Sequence, residues 1–96
     1  MEDYYCPCCG KRFKLISKLK YHYRHFHDIG YCPICKKRFA SVSTHALNMF
    51  VVYGCEEHAV LYWLTTMHHS RSERYRIVKD IIEKYLRGKR KIKWKC

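Results

Sequence analysis

The stretch YYCPCCGKRFKLISKLKYHYRHFH, Tyr4–His27, decides the fold. Its pattern is C-x2-C-x12-H-x4-H: Cys6, Cys9, His22 and His27. Two thiolates from a tight knuckle and two imidazoles from one helix face form the donor set of a tetrahedral zinc site. Phe13 and Leu19 are interleaved with these ligands, where they can fill the space between knuckle and helix. A unit of about 25 residues is too small to bury a stabilising core, so metal binding must supply its folding free energy. Pro7 shapes the knuckle, and Gly10 follows it where the backbone turns sharply. The x4 spacing predicts a helix that loosens near its end to bring both His22 and His27 inward. His25 is the rival second imidazole, but its spacing from His22 is shorter than such sites use. Cys8, inside the knuckle, is expected to point away from the metal as an exposed spare thiol.

With ligands and hydrophobic positions taken together, the stretch resembles the C2H2 zinc-finger family over the whole of its pattern. The resemblance implies a ββα finger. It also implies base-readout positions on the helix, which fall here on Leu15, Lys18 and Tyr21. Lys18 can donate to guanine O6 or N7, and Leu15 can meet a thymine methyl. Tyr21 suits a phosphate contact or stacking. Lys11, Arg12, Lys14, Lys20 and Arg24 are placed as phosphate contacts.

Composition points the same way. Twenty Lys+Arg against eight Asp+Glu in 96 residues give a formal charge of +12, as in chains that meet polyanions. Four of the seven cysteines fall in two C-x2-C pairs, which favours metal in a reducing, intracellular compartment over a disulfide framework. Met1-Glu2-Asp3 is acidic and no apolar segment follows, so no secretory leader is expected. No apolar run approaches the length of a membrane span, and no membrane partner is expected.

CPCCGKRF (Cys6–Phe13) recurs as CPICKKRF (Cys32–Phe39), an internal repeat that predicts a second zinc knuckle, so two zinc ions in all. Only Asp28, Ile29, Gly30 and Tyr31 separate His27 from Cys32. Such a linker spans at most about 17 Å, and it predicts units that pack together rather than follow the DNA groove in series. The second unit then departs from the pattern: Asn48 stands where the first has His22. His45 is the nearest imidazole. For the fourth ligand His58 is favoured, with Cys55, His68 and His69 as rivals. GCEEHAVLYWL (Gly54–Leu64) resembles a segment of small C2H2 proteins of archaea and their viruses, which implies a widely spaced second histidine.

Apolar spacing predicts a helix over 41–53 ended by Gly54, and a second over 55–67 that begins on Glu56 and Glu57 and buries Leu61, Tyr62 and Leu64. A third, basic and amphipathic, is predicted over 72–87, with a stripe of Ile77, Val78, Ile81, Ile82, Tyr85 and Leu86. The tail KRKIKWKC is expected to be mobile without a partner. The fold class is therefore small, zinc-stabilised α+β: a ββα finger (residues 1–30), an atypical second zinc finger with two helices (31–69), and an amphipathic helix with a basic tail (70–96).

These features predict a DNA-binding protein and transcriptional regulator acting on double-stranded DNA. A second possibility is a zinc-stabilised module for protein partners or self-association, using Tyr53, Tyr62 and Trp63. A third is RNA binding with Tyr21, Tyr23 and Trp94 as stacking platforms. Catalysis is not expected, because both knuckles have the closed donor set of structural zinc and the few acidic residues are scattered.

Overall fold

A computed structural model of the chain describes residues 3–66, 73–87 and 92–94. Two short antiparallel hairpins each lead into a helix, and two more helices follow. In order these are β1 (Tyr4–Tyr5), β2 (Arg12–Phe13), α1 (Ile16–Phe26), β3 (Tyr31–Cys32), β4 (Lys37–Arg38), α2 (Val42–Tyr53), α3 (Glu56–Thr65) and α4 (Glu73–Ile82). A five-residue π-helical turn, Glu83–Arg87, extends α4. β1 pairs with β2 through Tyr4–Phe13 and Tyr5–Arg12, and β3 with β4 through Tyr31–Arg38 and Cys32–Lys37. Among the described residues no helix is long and apolar enough to cross a membrane.

The sequence repeat is a repeat of backbone. Gly10 donates to the Cys6 carbonyl at 2.8 Å and Lys36 to the Cys32 carbonyl at 2.7 Å. Both take left-handed backbone, at φ 77° and 59° respectively. Glycine adopts it freely, whereas lysine is strained there by roughly 1 kcal/mol or more.

Helix α2 opens on Ser41, whose hydroxyl accepts from the Thr44 amide, and stops at Gly54, at φ 67°. The next helix, α3, is the centre of the molecule. Residues His58 through Thr65 are all buried, because α1, α2 and α4 pack around it. A helix apolar all round belongs inside. Tyr62 and Trp63 are therefore core residues and not a contact surface, which corrects that part of the sequence reading. The observed helix is shorter than expected, and Met67, His68 and His69 lie outside the described residues.

Val78, Ile82 and Leu86 form the buried line of α4 and its π turn, flanked by half-buried Tyr75, Ile81 and Tyr85. Ile77, expected on this stripe, is exposed, since its neighbour Val78 takes the inward direction.

The tail also departs from expectation. Trp94 is buried rather than mobile. Its backbone N–H donates to the Pro7 carbonyl at 2.8 Å and its indole to Glu57 at 3.4 Å. A large aromatic with a polar handle found both an apolar seat and an acceptor. At the other edge of the first unit, Tyr4 donates its hydroxyl to Glu83 of the π turn at 2.8 Å. Ile16, Leu19 and Tyr23 of α1 join the common core with Val42, Ala46, Leu61 and Leu64. Residues from all three expected segments thus share one core.

Candidate metal centres and an exposed basic groove

The two repeats bring eight side chains together in two quartets. Cys6, Cys9, His22 and His27 form the first, and Cys32, Cys35, His45 and His58 the second, with all ligand atoms of each quartet within 4.8 Å of one another. In the first, Cys6 Sγ lies 3.3 Å from His27 Nε2 and Cys9 Sγ 3.3 Å from His22 Nε2. In the second, Cys35 Sγ lies 3.4 Å from His45 Nε2 and 3.3 Å from His58 Nε2, and Cys32 Sγ 3.7 Å from His58 Nε2. Tetrahedral zinc with Zn–S of about 2.3 Å and Zn–N of about 2.05 Å requires sulfur and nitrogen roughly 3.5 Å apart. The observed separations fit that requirement. Each quartet could therefore hold one metal ion, consistent with two zinc ions in a zinc-finger-like protein.

Local structure explains how the rings converge. The first unit does not loosen its helix as expected. Instead α1 ends at Phe26, and His27 is its C-cap residue in extended backbone, φ −121° and ψ 159°. Leaving the helix lets a ring five residues on return to the side of His22, and the two rings stand at 79°. His25 stays on the exposed surface against Tyr21, their ring centroids 4.1 Å apart. In the second unit His45 comes from the first turns of α2 and His58 from the first turn of α3, with their rings at 80°. The repeated phenylalanines play matching parts: Phe13 packs on His22 with centroids 5.0 Å apart, and Phe39 stacks on His45 at 3.8 Å.

Burial sets the charge state. It pushes the Cys6 thiol up to about 11 and raises that of Cys35 as well. It lowers the imidazoles of His22, His27 and His58. The protein alone thus disfavours both thiolate and imidazolium. Neutral imidazoles are ready to coordinate, and a divalent cation is what would make two thiolates acceptable there, since their charges balance its own.

Two cysteines depart from expectation. Cys8 is half-buried and disulfide-bonded, not an exposed spare thiol, and Ile92 and Lys93 of the tail lie beside its knuckle. Cys55 occupies the N-cap position of α3, yet its side chain makes no capping bond; the sulfur meets His58 Nδ1 at 2.9 Å. Sequence reasoning treated Cys55 as a rival ligand, and its i, i+3 spacing from His58 was the available signal for this contact.

The predicted nucleic-acid contacts divide. Lys11, Arg12, Lys14, Leu15, Lys18 and Tyr21 line one surface groove of about 570 Å³, completed by Phe13, His22 and Phe26. Leu15 and Tyr21 are 58% and 63% exposed there. Lys20 and Arg24 do not join them. Both are half-buried on other sides of α1, and Lys20 Nζ sits 3.7 Å over the Trp63 ring. Burial, with Arg24 nearby, brings the Lys20 ammonium down to about 7. No protein-family model, curated protein or solved structure matches the chain.

Proposed function

We propose that the chain is a zinc-dependent DNA-binding protein that serves in transcription regulation. In this reading the first unit is a ββα C2H2 finger whose α1 enters the major groove. The observation that carries it is the clustering of six sequence-predicted contacts in one exposed groove, on the side of α1 that faces away from the core. Lys18, Leu15 and Tyr21 read base edges, and Lys11, Arg12 and Lys14 take phosphates. Lys20 drops out of the interface, because an ammonium held against Trp63 is not offered to a phosphate.

Electrostatics favours a single reading unit. From Ser41 to Thr66 there is no Lys or Arg, so α2 offers nothing cationic to a backbone. The three phosphate contacts of the groove predict a slope of log K against log[salt] of roughly −3 for duplex DNA. Fluorescence anisotropy with a labelled duplex across a salt series tests this. A slope shallower than about −1, or no binding at low salt, refutes the DNA reading. RNA stacking is less well supported, since Tyr23 and Trp94 are buried and Tyr21 alone of the three is exposed.

One observation favours a second role. Val51, Val52 and Tyr53 are exposed together at the end of α2, in a segment free of Lys, Arg, Asp and Glu. In a chain of formal charge +12, that face is where two copies can meet without like-charge repulsion. Self-association through α2 would place two fingers on one duplex. Sedimentation equilibrium of the wild type beside Val51→Glu tests it: mass that rises with concentration in the wild type alone supports the reading, and a monomer throughout refutes it.

A further inference from the structure

We propose that Cys55 is a positioning residue of the second metal site, its sulfur accepting a hydrogen bond from the Nδ1–H of His58 and so holding Nε2 toward Cys32 and Cys35. The inference rests on the reading that this quartet binds zinc. His58 is 2% exposed, so water is a poor partner for its ring. Its Nε2 faces the Cys35 and Cys32 sulfurs at 3.3 and 3.7 Å, which leaves Nδ1 to carry the proton when Nε2 holds a metal. A buried N–H without an acceptor is costly, and the ring would turn to find one.

The Cys55 sulfur, 2.9 Å away, is that acceptor. Its place follows from the helix start. Cys55 has extended backbone, φ −75° and ψ 106°, and its side chain is not used to cap the α3 amides. One turn separates it from His58, so the same turn that begins α3 presents the sulfur to the ring. Metal-bound histidines usually donate this second N–H to a carboxylate or carbonyl. Here a thiol stands in that role, presented to the ring by the short stretch of backbone between the two residues.

Cobalt(II) substitution of the full chain tests the assignment with a readout besides stability. A tetrahedral cobalt site shows a thiolate-to-metal charge-transfer band whose intensity follows the number of bound thiolates. Cys55→Ala should weaken the second metal by about 10- to 100-fold in chelator competition. It should leave the first metal, an internal check on folding, and the band intensity per cobalt unchanged. Cys55→Ser, which restores an acceptor, should recover most of that loss. In the zinc-loaded wild type, nitrogen-15 NMR should find the His58 proton on Nδ1.

A Cys55→Ala chain with reduced band intensity would mean that Cys55 is itself a ligand, and would overturn the proposal. So would unchanged affinity, equal weakening of both metals, or no recovery in Cys55→Ser. A wild type that takes up one cobalt refutes the second site, and the role of Cys55 with it. Two cobalts with an unaltered Cys55→Ala refute the positioning role alone.

Discussion

Replacing Trp94 with alanine separates a docked tail from a dangling one. The indole is 6% exposed and stands edge-on to Tyr23, centroids 6.4 Å apart. Burying about 200 Å² of such a side chain is worth about 5 kcal/mol at 25 cal/mol per Å², an upper bound. If the tail lifts off, the freed backbone of three residues returns roughly 1 kcal/mol each. The net loss is then about 2 kcal/mol, or a fall in Tm of roughly 10 °C for a domain of this size. The two hydrogen bonds direct where the effect goes. One ends on Pro7, beside Cys6, and the other on Glu57, beside His58. Trp94 therefore ties the first knuckle to the helix that carries the fourth ligand of the second. Thermal melts of the zinc-loaded protein by circular dichroism give the magnitude, and amide shifts at Pro7–Gly10 and Glu56–His58 give the location. A loss below about 0.5 kcal/mol, of the size a surface substitution causes, would refute the docking, as would shifts confined to the tail.

Zinc chelation should abolish the order of the first knuckle and its hairpin, which have no core of their own, while part of the helicity of α1, α3 and α4, which share the common core, survives; residue-resolved NMR with and without chelator checks this. Acid should release the fold from below the ordinary imidazole value of 6.5. Coordination requires neutral imidazoles and thiolates, so protons compete with the metal at His22, His27, His45 and His58 and the fold is lost as pH falls; a pH titration of zinc-loaded protein with a midpoint above 7 would contradict it. In the matched knuckle turns, Gly10→Ala should cost about 1 kcal/mol and Lys36→Gly should gain up to a similar amount in thermal melts, both through the left-handed backbone alone. In binding assays Lys18→Ala should change base preference, whereas Lys14→Ala should weaken all duplexes alike and lower the salt slope by about 1.

The first quartet was legible because its chemistry is local: four ligands and two packing residues within one short stretch fix their own spacing. The second was legible by a different route, since Asn48 vacates the usual position and forces the search across Gly54 to His58. What sequence could not reveal was direction. Tyr62 read both as core and as surface and Trp63 as surface alone, because a helix apolar on every side has no stripe to orient it. Lys20 counted toward the cationic surface, yet three residues from Tyr23 and one from Leu19 its ammonium lies over the Trp63 ring on another side of α1.

The short linker shows how such hidden directions follow from one visible feature. Asp28 accepts from the Gly30 amide at 2.8 Å and pairs with Arg38 of β4, so the junction is folded rather than extended. A folded four-residue junction cannot let two fingers track a groove independently, and both units must instead press a face onto a shared partner. α3 is that partner. Once it is enclosed by α1 on one side and α2 on another, the outer face of α1 keeps its cations and meets solvent. The second unit, with its helix spent on the α3 contact, has no need of cations, and its sequence has none between Ser41 and Thr66. The contrast between a unit with a cationic outer face and a unit with none on its helix is thus written first in the length of the linker.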